Sequence, residues 1–382
     1  MGTTKGGGLR YKMKVLYIAH YKEGSGWSNA SLNSILALDK AGVDVVCRNV
    51  SLSNNYPEIP KRILELEEKS TDNVDYCIQH LLPHHLVGSS RFKKNIAYFV
   101  SESNMKSTHP WIHNLKIVDE VWVPNNTNKD VLESCGLKNT KVVPYACDIN
   151  SYTNENKLLN FGPSNGKYKF YYIGDMNDRK NIDGLIRCYL SEFTQRDQVA
   201  LVIKINRHGV SPEDLQKATN EYIDKIKEQL RIFQNKDDYP EVILITSHLD
   251  NETIKSLHKT CDCYVSISHG EGWNMPAFDA MCYGNHPICS NEGGPKDFIN
   301  SDDVNTGKLI DGVYGVCCHN NPAFSFIFTG NDEWFLPSES LTKKAMREYY
   351  EANNQKTKDG LSRGNLYSFE NIGNLMKELL DE

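Results

Sequence analysis

The stretch "HGEGWNMPAFDAM", residues 269–281, decides how this chain is read. The apolar run "CYVSIS" just before it predicts a buried strand. Pro276 suits the first position of a helix, and Gly284 suits its end. Between strand and helix, Gly270 and Gly272 predict a tight loop whose backbone a ligand can approach closely. A helix start carries unpaired N–H groups and partial positive charge, so it suits a phosphate. Carboxylates suit hydroxyls instead, because they accept strongly from O–H. One loop can therefore serve a sugar joined to a nucleoside diphosphate. Its amides would take phosphate, Glu271 the sugar and Asp279 the ribose. Acids near helix starts also occur for the dipole alone. It is the setting, strand then glycine loop then Pro-started helix, that gives this pair weight.

Working outward, "KFYYIGDMNDRKNIDGLIRCYL" repeats the strand–loop–helix pattern, with Arg179 and Lys180 on the loop. Two cations there can neutralise a diphosphate leaving group. A solvated surface pair is the plainer reading, but the position past a strand's C-terminal end favours function. "VALVIKINR" and "EVILITS" read as strands, and "PEDLQKATNEYIDKIKEQLRIF" as a long amphipathic helix. Near the N-terminus, Val15–Ala19 reads as a strand and Val43–Cys47 as the next. The helix between them is capped by Ser28 or Asn29 and closed by Gly42. Its glycine loop, "EGSGW", lacks the GxGxxG spacing of a dinucleotide site. It fits a loop that meets phosphate or acceptor across a cleft. "VDYCIQH", "KNIAYFV" and "VDEVWVP" continue the series. Each is followed by polar or aromatic residues at the strand end where open α/β sheets bind ligands. "SYTNENKLLNFGPSNGKY" is polar and aperiodic and reads as a linker. The pattern is α/β, two separately wound sheets.

The bulk numbers agree. A chain of 382 residues exceeds one ordinary core, which favours two domains. A net charge of -6 disfavours a nucleic-acid surface. No apolar run approaches the roughly 20 residues that span a bilayer, and no signal peptide is visible. A cytoplasmic location is the expectation. The cysteines are scattered without a CxxC pair, which predicts reduced, buried thiols. His109 and His113 have helical spacing, but without an HExxH pattern no metal is expected.

These residues resemble a known group, the retaining GT-B glycosyltransferases of glycosyltransferase family 4, also called group 1. "SHGEGWNMPAFDAMCYGNHPICSNEGG" is similar to that family's E-x7-E motif and the glycine pair after it. "RKNIDGLI" looks like its basic loop, and "VDEVWVPNNTNKDVLESCGLKNTKVVPYACD" resembles a first-domain segment. The resemblance implies two Rossmann-like domains facing across a cleft, over residues 13–160 and 161–365. Residues 1–12 would be a tail, and residues 366–382 a helix packing back on the first domain. It implies a UDP- or GDP-sugar as donor substrate and no metal or other cofactor. The acceptor would be a glycan or lipid-linked glycan, the latter met by peripheral membrane contact.

Carried over, Glu271 would hold donor-sugar hydroxyls, with Arg179 and Lys180 clamping the diphosphate. Asp279 would take the ribose, and Gly272, Trp273, Asn274 and Met275 would line sugar and phosphates. Ser247, His248 and Leu249 would flank the base. Gly24 and Gly26 would border phosphate and acceptor, with Glu102 and His109 as first-domain residues that assist. The chain departs from the family in three places. Asp279 replaces a Glu, Trp273-Asn274 replaces an aromatic-Gly pair and sets a side chain beside the sugar, and Asp175 stands where many members have Arg. The alternatives are a nucleotide-sugar binder without catalysis, an epimerase or phosphorylase on the same frame, or transfer to a modified base or a protein.

Overall fold

The computed structural model describes residues 13–52, 58–207, 209–299, 306–319, 325–353 and 356–382. The expected tail, residues 1–12, lies outside them.

Six parallel strands form the first sheet: β1 (Lys14–Ala19), β2 (Asp44–Asn49), β3 (Tyr76–His80), β4 (Lys94–Tyr98), β5 (Glu120–Val123) and β6 (Thr140–Val142), in the order β2-β1-β3-β4-β5-β6. Six more form the second: β7 (Tyr168–Asp175), β8 (Val199–Asn206), β9 (Glu241–Ile245), β10 (Cys263–Ser266), β11 (Ile288–Ser290) and β12 (Lys308–Ile310), in the order β12-β11-β10-β7-β8-β9. An antiparallel hairpin, β13 (Gly312–Val316) and β14 (Glu333–Pro337), follows. The first half carries α1 (Gly26–Lys40), α2 (Lys61–Glu67), α3 (Pro110–Leu115) and α4 (Asn126–Ser134). The second carries α5 (Ile182–Glu192), α6 (Pro212–Leu230), α7 (Asn251–Thr260), α8 (Met275–Cys282) and α9 (Gly294–Phe298). Three helices close the chain: α10 (Glu339–Ala352), α11 (Asp359–Gly364) and α12 (Phe369–Asp381).

Central strands such as β5 and β10 are buried along their whole length, as parallel strands covered on both faces must be. α1 begins earlier than its sequence suggests. Ser25 has an extended backbone, and its side chain accepts from the Ser28 N–H, so Ser25 is the cap. The Ser28 hydroxyl is buried and donates to the Tyr21 carbonyl instead.

The strand orders locate the ligand edge. In the first sheet the chain winds outward from β1 to β2 and then returns to β3, so winding reverses between β1 and β3. In the second sheet it reverses between β7 and β10. Crevices at such points, past the C-terminal strand ends, are where open α/β sheets bind ligands.

One apolar cluster joins the halves, running from Val15 and Ile35 through Tyr145 and Trp273 to Phe278 and Met376. A second, with Phe170, Ile203 and Ile226, covers the other face of the second sheet. α12 lies on α1, where a Cβ on Gly373 would stand 2.2 Å from the Ala37 carbonyl oxygen. Lys377 donates to the Ala41 carbonyl at 3.2 Å across the same contact. All eleven cysteines are unpaired thiols, and Cys318 alone is exposed. Among the described residues, no helix is long and apolar enough to cross a membrane.

Candidate active site

Arg179 and Lys180 follow β7, and Glu271 follows β10, so the second sheet's reversal point brings them together. Asn181 fixes the basic loop. It sits in the left-handed region at φ 50°, which Asn tolerates, and its side-chain amide donates to the Ile267 carbonyl at 2.9 Å. The His269 N–H then donates to the Arg179 carbonyl at 2.8 Å. Glu271 is 7% exposed. Lys180 Nζ reaches its two carboxylate oxygens at 2.7 and 3.0 Å. Arg179 approaches at 3.3 Å, and the Ser268 hydroxyl donates at 2.6 Å. Arg179 also donates to the Gly270 carbonyl at 2.7 Å and pairs with Glu102 of the first half at 3.0 Å.

Burial pushes the Glu271 carboxyl up, but Lys180, Arg179 and two hydrogen bonds outweigh it and hold it below the usual range. Glu102 goes the other way. Its burial outweighs the pull of Arg179 and Lys180, and Glu271 and Asp175 add to the rise. The cluster balances two cations against two carboxylates across the cleft. Among the described residues, no group of three or more His, Cys, Asp or Glu is placed to hold a metal.

Gly270 and Gly272 also lie where the two halves meet. A Cβ on Gly270 would stand 2.0 Å from the Glu102 carbonyl oxygen, and one on Gly272 2.0 Å from Val100 Cγ2. The glycines let the second half's loop press against the segment after β4. Asn125 Nδ2 donates to the Gly272 carbonyl at 2.5 Å on the same seam.

α8 starts at Met275, one residue before Pro276. Asn274 is its cap in the left-handed region, at φ 63°. Asn274 Oδ1 accepts from the Ala277 N–H at 3.3 Å, and its amide donates to Ser266 Oγ at 3.0 Å. Asn can adopt the backbone form that glycine would, and it adds a cap that glycine lacks. The Trp273 side chain packs inward. It is 3% exposed, with ring centroids 5.2 Å from both Phe298 and Tyr367. An indole gains more from that apolar cluster than from a wet cleft.

Asp279 lies further along α8, where the Tyr152 hydroxyl donates to it at 2.6 Å. Burial raises its carboxyl to about 6, against the opposing pull of Tyr152 and Lys255. Ser247, His248 and Leu249 follow edge strand β9, and the first two are exposed. Gly24 lies exposed in the loop after β1 at φ 66°, and Gly26, also exposed, is the first residue of α1. His109 is buried away from the cleft. Its Nδ1 caps α3 by accepting from the Trp111 N–H, and its Nε2 meets the Ile327 carbonyl at 3.1 Å. Asp332 stands 3.5 Å from the same ring.

His80, Tyr17 and Tyr145 meet at the first sheet's reversal point. His80 ends β3, fully buried, with Nδ1 3.0 Å from the Tyr17 hydroxyl. Burial pushes it down to about 3, so it stays uncharged. Among the described residues, neither its Nε2 nor the Tyr145 hydroxyl has a hydrogen-bond partner. The Trp27 ring lies 5.4 Å from His80.

Sequence reasoning missed several supports. Ser268, which donates to Glu271, carries no local signal of that role. Tyr152 lies in a stretch read as linker. The β13–β14 hairpin reaches across the cleft, where Asn104 and Lys106 meet the Glu333 carboxylate at 2.9 and 2.5 Å. The short apolar run "WFL" is the available signal for strand β14.

Comparison with known proteins agrees with the fold. The model of the family described as glycosyl transferases group 1 matches residues 155–313. No curated protein matches the chain in sequence. Among solved structures, the chain is similar to sucrose-phosphate synthase from Thermosynechococcus elongatus, with 15% identity and a TM-score of 0.65 over 97% of this chain and 98% of that one. It is similar to HepE from Anabaena in complex with UDP-glucose, with 15% identity and a TM-score of 0.61 over 97% and 99%. It is also similar to the lipopolysaccharide outer core galactosyltransferase WaaB in its apo form, with 14% identity and a TM-score of 0.60 over 96% and 99%. These likenesses establish a shared GT-B-type fold. The matched segment contains the whole second sheet, with the basic loop and the acidic motif at its reversal point, so this part of the chain is similar to the glycosyl transferases of group 1.

Proposed function

We propose that this protein moves a sugar from a UDP- or GDP-linked donor to a hydroxyl of a glycan or lipid-linked glycan, without a metal. The observation that carries this reading is the Arg179, Lys180 and Glu271 cluster at the β7–β10 reversal point. Arg179 and Lys180 hold the diphosphate, where negative charge grows as the sugar C1–oxygen bond breaks. Glu271 accepts from donor-sugar hydroxyls. Backbone amides from Gly272 to Met275 face the phosphates at the start of α8. Asp279 takes the ribose, and Ser247, His248 and Leu249 flank the base. The donor in the HepE complex is UDP-glucose, which supports the UDP class.

The acceptor enters over the first sheet's edge, by Gly24 and Gly26. The uncharged His80 and the Tyr17 and Tyr145 hydroxyls there suit a hydroxyl group. The acceptor oxygen bonds to C1 as the C1–phosphate bond breaks. The hydroxyl proton passes to the departing phosphate oxygen on the same face, so no protein base is required. Glu102 orients Arg179 from the opposite wall. His109 takes no part, because its ring is committed to the α3 cap and the Ile327 carbonyl.

The test is release of free UDP or GDP from UDP-glucose, UDP-galactose and GDP-mannose in the presence of EDTA. Turnover of one donor is expected, and Arg179→Ala and Lys180→Ala should abolish it. Tight binding with no release would make the protein a nucleotide-sugar binder. Loss of turnover on adding EDTA would sink the metal-free assignment.

A further inference from the structure

The second sheet holds two buried lysines, at opposite strand ends. Lys169, near the start of β7, is 3% exposed and donates to the Asn165 and Lys167 carbonyls, both at 2.8 Å. It closes the turn that feeds the strand. Lys204 is 2% exposed and lies near the C-terminal end of β8, on the ligand edge. Its Nζ donates to the Ile205 carbonyl at 3.3 Å and to the Asn206 side-chain oxygen. Among the described residues, no carboxylate lies within ion-pair distance of it. The nearest acid in the register is Asp175, exposed at the end of β7 opposite Asn206. Neutral oxygens offset little of what it costs to take an ammonium out of water.

The position of Lys204 is specific. Val202, two residues earlier, packs in the cluster that contains Leu257 of α7, and side chains alternate along a strand. Lys204 therefore shares the α7 face. Its partners in register are Ile173 on β7 and Ile245 on β9. It stands between the Arg179–Lys180 loop after β7 and the Ser247–Leu249 loop after β9.

We propose that Lys204 contacts the donor nucleotide and holds an anionic oxygen of the phosphate next to the ribose. The inference rests on the donor reading above and adds a residue to it. A donor laid from Glu271 at β10 to the loop after β9 must cross the end of β8, and the crossing point is where phosphate gives way to nucleoside. Burial also lowers the Lys204 ammonium to about 8, with Asp175 opposing. An arriving phosphate would restore its charge.

The experiment is calorimetric titration of the full chain with UDP, GDP and uridine, on wild type and Lys204→Met. Met keeps the length of the stem and removes an unpaired charge, so its melting temperature without ligand should equal or exceed that of wild type. UDP or GDP affinity should fall at least tenfold, while uridine binding stays unchanged. On wild type at pH 8, nucleotide binding should take up as much as about half a proton, read from the dependence of heat on buffer, because the amine is half-titrated there. That readout stands even if the variant misfolds. Equal UDP affinity in the variant, an equal loss for uridine, or no proton uptake would overturn the proposal while leaving the donor site intact. Wild type that binds neither UDP nor GDP would overturn the donor reading first.

Discussion

Glu271 and Asp279, the two acids that single out the motif, lie in opposite electrostatic settings. Glu271 is flanked by two cations and kept ionised, whereas Asp279 has one hydroxyl donor and a carboxyl raised to about 6. Such divergence marks groups with separate tasks. Glu271→Gln should lower donor turnover about 10²-fold, on the scale of losing one charge-stabilising contact. It should also destabilise the fold by about 3 kcal/mol, because Arg179 and Lys180 lose their buried counter-charge. Steady-state assay and denaturant unfolding check the two effects. For Asp279, the folded value lies above the ordinary 3.8. Its contribution to stability is therefore fully present below pH ~4 and lost as pH rises through about 6. Asp279→Asn should melt higher than wild type at pH 7, with the gap closing toward pH 4. A gap independent of pH from 5 to 8 would show that the carboxylate bears no desolvation cost. If Asp279 also accepts from the ribose, UDP affinity in wild type should weaken as pH falls below 6.

The elements around these residues act as a closing seam. The loop after β10 touches the segment after β4 at Gly270 and Gly272, and the β13–β14 hairpin grips the same segment through Glu333. Gly270→Ala puts a methyl 2.0 Å from a backbone oxygen that cannot rotate away. The halves should then stand further apart. The radius of gyration by small-angle scattering should rise, and donor turnover should fall at least tenfold, with the melting temperature changed by only a few degrees. An unchanged radius with full activity would mean that the seam carries no catalytic geometry. This seam also marks the limit of what was legible in the sequence. The strands, the basic loop and the acidic loop could be read because apolar runs, glycines and a helix-starting proline act locally. Which wall the glycines would touch could not be read, since that depends on Val100 and Glu102, some 170 residues earlier in the chain. The packing of Trp273 could not be read for the same reason. Its burial comes from Phe298 and Tyr367, which no local pattern connects to it.

At the scale of the whole molecule, the chain's last segment belongs to its first sheet. After α11 the backbone returns to the start of the linker, where the Phe369 N–H donates to the Cys147 carbonyl at 3.0 Å and Cys147 donates back to Tyr367 at 2.8 Å. α12 then buries Ile372, Met376, Leu379 and Leu380 in the cluster that holds Ile35 and Leu38 of α1. The amphipathic pattern of "FENIGNLMKELLDE" made the helix readable, and Gly373 explains its partner, since only a residue without Cβ admits the Ala37 carbonyl so closely. Four apolar side chains at about 1.5–3 kcal/mol each come to about 6–12 kcal/mol. That matches the whole margin of a typical domain, about 5–15 kcal/mol. A chain ending at Tyr367 should therefore lose its first half cooperatively. It should become insoluble or melt more than 15 °C lower, while Gly373→Val, which only lifts the helix, should cost a few degrees. Scanning calorimetry of the three proteins distinguishes the cases. If the truncated chain melts like wild type, α12 is an appendage, and the first sheet must draw its stability from β1–β6 and α1–α4 alone. If it fails as expected, the two halves share one stability, because the chain that forms the second half also completes the core of the first.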